Sequence, residues 1–149
     1  DDARREIVRA IECNQEFGHA VQPWRAFRIL YDIETATGNL AAARVAWQQA
    51  RDAYLAYRQQ GGYAQQSGGE FAEQILAAVR QGERYEAIET LTQLAGDEAS
   101  PDGIKRFILK LLAVIRGEDE VALEEDSELT YEEAAEVLFL RERLAGLKQ

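Results

Sequence analysis

The sequence predicts an all-α protein of about seven helices paired as antiparallel hairpins, and three observations carry that expectation. Only two of its 149 residues are proline, so long stretches are free to be helical. Alanine, leucine, glutamate, glutamine and arginine dominate, and these residues lose least on entering a helix. Apolar residues recur three or four apart along most of the chain. Even the cluster Phe107-Ile108-Leu109 sits in a window of helical rather than alternating spacing.

In chain order, Ala3, Ile7, Ala10, Ile11 and Phe17 mark a first amphipathic helix over 2–17, with one wider gap across Asn14. Gly18 suits a helix stop, and Pro23 suits the first turn of the next helix, where a missing N–H has no partner to lose. The second helix runs from Pro23 through Trp24, Phe27, Leu30, Tyr31 and Ile33 to Thr37. Gly38 permits the left-handed turn that ends it, and Asn39 can cap the third. The third helix covers 40–58 and is expected to bury Leu40, Ala43, Trp47, Ala50 and Tyr54, which climb one face. Residues 59–69 hold four glycines and four glutamines, too polar and flexible to fold alone. Two short helices follow, over 70–81 and 83–95, divided at Gly82. Ser100-Pro101-Asp102 supplies a cap, a first-turn proline and a first-turn acid for a sixth helix. That helix carries Ile104, Phe107, Ile108, Leu111, Leu112 and Ile115 and ends at Gly117. Thr130 and Glu133 form a capping-box pattern ahead of the last helix, 131–144. The organisation expected is a hairpin region over 1–60, a Gly/Gln-rich loop over 61–69 and a C-terminal capping region over 70–149, packed together as one domain.

Charge narrows the partners. The net charge is −10, and it is uneven: residues 1–68 carry eight acids and eight arginines, residues 69–149 nineteen acids and nine bases. Ten acids fall between Glu118 and Glu136 with no lysine or arginine among them. Nucleic acid and an anionic membrane surface are therefore not expected partners, whereas a basic peptide or protein face is compatible. No apolar run approaches the ~18 residues needed to cross a bilayer, and Asp1-Asp2-Ala3-Arg4-Arg5 lacks signal-peptide character. A single cysteine, Cys13, cannot form an internal disulfide, so a reducing cytoplasm is the expected compartment. The start at Asp1, without methionine, suits a segment of a longer protein.

The segment 27–50 resembles a tetratricopeptide repeat. Phe27 stands at the first bulky position, Leu30 at the leucine, Gly38 at the turn and Leu40 just after it; Ala43 and Ala50 take the two small positions and Trp47 the aromatic between them. The physics agrees: antiparallel helices approach closely where Ala43 and Ala50 present no bulk, and Trp47 fills the space beside them. Tyr31 in place of a small residue and Glu34 in place of an aromatic depart from the pattern, and no proline ends the second helix. A weaker echo spans 71–94, with Gly82 at the turn, Ala87 at a small position and Leu91 at the aromatic one. The Ala-Tyr-Leu-Ala-Tyr-Arg run at 53–58, the Gly61-Gly62 turn and the Tyr-acid-acid-Ala-Ala start at 131–135 are similar to the C-terminal region of large bacterial tetratricopeptide proteins. The resemblance implies a TPR-like α-α superhelix that recognises a partner and catalyses nothing.

Tests for chemistry point the same way. His19, the only histidine, has no acid or nucleophile nearby in sequence except Cys13, which reads as a small core residue. The acids at 118–128 lack the one-three-five oxygen spacing and central glycine of a calcium loop, and read as a solvated acidic loop. Glu132 and Glu136 read as ordinary helix surface. Neither glycine pair precedes the lysine and hydroxyl of a phosphate-binding loop. No metal, cofactor or catalytic residue is assigned. Trp24 and Trp47 read as core. Arg25, Arg28, Asp32 and Thr35 share one face of the second helix and could fork onto a partner's carboxylate, the alternative being a solvated face. The function expected is a protein- or peptide-binding module; the alternative is a structural cap on a longer repeat array.

Overall fold

The described residues form seven α-helices and one 3-10 segment, with no strand among them. The computed structural model describes residues 2–64, 67–118 and 129–147. Most of the acidic stretch, 119–128, and Gln65 and Gln66 of the glutamine-rich loop lie outside them, as does the calcium-loop question. The chain divides into two compact units, Asp1–Gly62 and Tyr63–Gln149.

In the first unit, α1 (Asp2–Asn14) passes through a 3-10 segment (Gln15–Val21) into α2 (Pro23–Ala36), which pairs with α3 (Leu40–Gln59). The first helix is shorter than the apolar spacing predicts. It stops at Asn14, and Gly18 (φ 57°, ψ −137°) kinks the segment, so Phe17 turns out to 55% exposure and Ala3 is exposed as well. Gln22, at φ 49°, takes the left-handed conformation just before Pro23, an uncommon state for a residue with a Cβ. The proline then opens α2 as expected.

The α2–α3 turn closes by two backbone bonds, Gly38 N–H to Thr35 C=O at 3.2 Å and Asn39 N–H to Glu34 C=O at 2.9 Å, with Gly38 at φ 80°. The same pair of bonds ends α3, α4 and α6 at Gly61, Gly82 and Gly117. Asn39 does not cap α3 with its side chain; its Nδ2 donates to Thr37 Oγ1 instead, at 3.3 Å. The hairpin is antiparallel, since Trp24 at the start of α2 meets Tyr54 and Tyr57 near the end of α3, with ring centroids 5.5 and 4.8 Å away. Ala43, Ala46, Trp47, Ala50 and Tyr54 are buried along α3. Leu40, expected among them, is 68% exposed: it sits in the first turn of α3, next to the α2–α3 turn, where residues 35–42 are all exposed. At the far end Arg58 is buried, and its Nη1 donates to Gly62 C=O at 2.7 Å, which draws the Gly-Gly turn under the Tyr57 ring.

In the second unit, α4 (Ser67–Arg80), α5 (Arg84–Gly96), α6 (Asp102–Ile115) and α7 (Tyr131–Leu147) pack in the order α4 on α5 and α7, α5 on α6, and α6 on α7. The fourth helix begins at Ser67 rather than 70, taking both glycines into its first turn. Gly69 is buried there, and a Cβ on it would lie 2.7 Å from both Ala64 Cβ and Glu136 Oε1. Glu136 is therefore not helix surface: it is buried against the positive end of α4. Ser100 does not cap α6; its hydroxyl bonds Leu94 C=O at 3.3 Å, and Pro101 holds the cap position. Phe107, Ile108, Leu111, Leu112, Val114 and Ile115 form the buried side of α6, while Ile104, in its first turn, is 48% exposed. The capping box before α7 is present: Thr130 N–H donates to Glu133 Oε1 at 3.0 Å, and Glu133 N–H donates to Thr130 Oγ1 at 3.1 Å. On α7, which packs on both α4 and α6, Tyr131, Ala134 to Val137, Phe139, Leu140 and Leu144 are buried, while Arg141 to Arg143 are exposed.

Candidate partner-binding surface

The outward side of α2 carries the sequence-predicted row. Arg25, Arg28, Asp32 and Thr35 are all exposed and climb one face at steps of three and four. Arg28 Nε and Asp32 Oδ2 are 3.8 Å apart, with both side chains about three-fifths exposed. Such a pair is worth about 0.2–1 kcal/mol and opens readily for another carboxylate. The structure adds a residue to the row. Ile29, four residues after Arg25 and three before Asp32, is 49% exposed on the same face. Its position on the helix could have revealed it, but an isoleucine in an apolar-rich helix is read by default as core.

The rest of α2 is firmly held. Trp24 lies in an aromatic cluster with Tyr54 and Tyr57. Glu34, the departure from the repeat pattern, is 4% exposed and accepts from Arg4 Nε of α1, while Arg4 Nη2 donates to Thr37 Oγ1 at 2.9 Å. These contacts fix the rotation of α2, so the row is presented on a rigid element.

The repeat-pattern residues divide by depth. Ala43, Trp47 and Ala50 are buried, Phe27 and Leu30 are half-buried, Gly38 makes the turn, and Leu40 is exposed. The Trp47 indole is also covered by the Arg51 guanidinium, 5.7 Å from the ring centre. A recess of about 180 Å³ lies behind the row, lined by Ile11, Asn14, Gly18, Val21, Phe27 and Ala53 among others. A second, of about 220 Å³, lies in the other unit between α4 and α5.

The residues tested for chemistry sit as follows. His19 Nε2 is 3.0 Å from Gln60 Oε1, and its ring meets Tyr57 edge-on at 5.9 Å. Cys13 is exposed rather than in the core, because it falls on the outer side of the last turn of α1. Among the described residues, no three His, Cys, Asp or Glu side chains are grouped to hold a metal ion, and no helix is long and apolar enough to cross a membrane. Comparison with protein-family models, with curated proteins and with solved structures finds no match.

Proposed function

We propose that this chain is a non-enzymatic protein-interaction module, built on a tetratricopeptide-like hairpin, whose contact surface is the α2 row. One observation carries the reading: Arg25, Arg28, Asp32 and Thr35 form an exposed row, with the exposed Ile29 along its edge beside Arg25 and Asp32, on a helix pinned by Glu34–Arg4 and by the Trp24 cluster. Guanidiniums beside an apolar side chain suit a partner segment that pairs a carboxylate with an aliphatic residue, the arginine giving direction and the isoleucine burial. Burial of Ala43, Trp47 and Ala50 supports the repeat-like hairpin. We propose a reducing cytoplasm as its compartment, where the exposed thiol of Cys13 stays reduced.

The test is binding of the full chain to an arrayed peptide library, compared with Arg25→Ala/Arg28→Ala. Loss of the two exposed arginines should leave folding intact and weaken the best acidic-aliphatic ligands by about tenfold. Unchanged binding would end the proposal.

A further inference from the structure

The hairpin α4–α5 does not close along its length. Its turn is tight, with Gly82 at φ 84°, yet α5 leans mainly on α6, and Leu91 is its one buried side chain. The result is a groove whose floor is apolar, made by Phe71, Ile75, Ala78, Ala87 and Leu91. Its volume, about 220 Å³, is below the ~300 Å³ at which pockets for small organic ligands begin. That size suits one inserted side chain.

The walls say what flanks that side chain. Glu83 and Glu86 are the charged residues lining the groove, and both are exposed; the remaining polar lining, Gln74 and Thr90, is neutral. The nearest cation on α5 is turned away, for Arg84 Nη1 donates to Ile115 C=O of α6 at 3.1 Å. Beyond the groove the sign is the same: the described residues from 69 onward hold thirteen acids and eight bases. An apolar slot with carboxylates at its mouth and no cation in its lining repels acidic segments and focuses basic ones.

We infer that the α4–α5 groove binds a basic amphipathic peptide segment of a partner protein, seating one aliphatic or aromatic side chain among the half-buried Phe71, Ala78 and Ala87, over the buried Ile75 and Leu91, and its lysines or arginines against Glu83 and Glu86. This site lies in a different unit from the α2 row and selects the opposite charge, so either can fail alone.

The probe is a short fluorescein-labelled peptide with leucines at helical spacing and lysines between them, titrated with the full chain and followed by anisotropy. A control peptide carries glutamate at every lysine. The lysine peptide is expected to bind and the glutamate peptide not. Glu83→Lys/Glu86→Lys should weaken binding at least about tenfold, whereas Glu89→Lys, on α5 but outside the groove, should change it less than about twofold. Ala87→Phe, which fills the slot, should abolish binding with the helical circular dichroism unchanged, and Arg25→Ala/Arg28→Ala should bind as the parent does. Equal losses per reversed charge from the Glu83/Glu86 and Glu89 variants would mean diffuse charge attraction and overturn the inference. Retained binding in a folded Ala87→Phe chain would overturn it too. So would concentration-dependent self-association that Ala87→Phe abolishes, because the occupant would then be a second copy. Should Ala87→Phe not fold, the comparison of exposed-charge variants still decides.

Discussion

A carboxylate at position 34 that is 4% exposed survives because Arg4 reaches it, and the two ends of that pair are not equivalent. The Arg4 side chain keeps about a third of its surface in water, whereas that of Glu34 keeps 6%. Removing the arginine strands a charge that cannot reach solvent; removing the glutamate frees a guanidinium that can. Arg4→Leu should therefore cost about 1–3 kcal/mol, reduced from the ~3–5 of a fully buried pair by the arginine's exposure. Glu34→Leu should cost less, and the double variant less than Arg4→Leu alone. Urea unfolding of the four proteins checks this, and equal single-variant losses would refute the asymmetry. Glu34 is visible in the sequence only as a misfit to a pattern, because its burial depends on a partner thirty residues earlier.

Helix boundaries are the legible feature at the scale of the element, because their signals are local. Gly38, Gly82 and Gly117 each stop a helix by the same two backbone bonds, and Thr130 with Glu133 starts one, within a few residues of sequence. Two glycines are needed for different reasons. At Gly38 a Cβ would meet nothing within 4 Å, so Gly38→Ala is opposed only by the left-handed backbone, about 1–2 kcal/mol. At Gly69 a Cβ would meet Ala64 and the buried Glu136 carboxylate, so Gly69→Ala must displace a charge and should cost more, about 2–4 kcal/mol. Denaturation midpoints followed by circular dichroism distinguish the two, and a Gly69→Ala protein as stable as Gly38→Ala would show that α4 and α7 are not tightly apposed. Gly38 is a turn signal in any sequence. Gly69 falls in a stretch whose composition is that of a linker, and it is Ala64 and Glu136 of α7, brought against it by folding, that make its small size necessary.

For the whole molecule, the charge of −10 is the dominant long-range term. Like-charge repulsion destabilises the compact chain and is screened by salt, whereas an exposed pair such as Arg28–Asp32 contributes only about 0.2–1 kcal/mol to lose. Thermal midpoints should therefore rise between low and physiological ionic strength. A falling midpoint would mean that attractive pairs outweigh the acidic excess.

The helical class, the seven helices and most of their ends follow from propensity, period and turn chemistry, which act over a few residues and are written in them. Trp47 between Ala43 and Ala50 is legible for the same reason, as one stripe of one helix. Which apolar residues stay in water, as Leu40, Ile29 and Ile104 do, and which charges leave it, as Glu34, Arg58 and Glu136 do, depends on what another helix places opposite them. Burial is a property of pairs of elements brought together across long separations in the chain, and only the tertiary structure decides it.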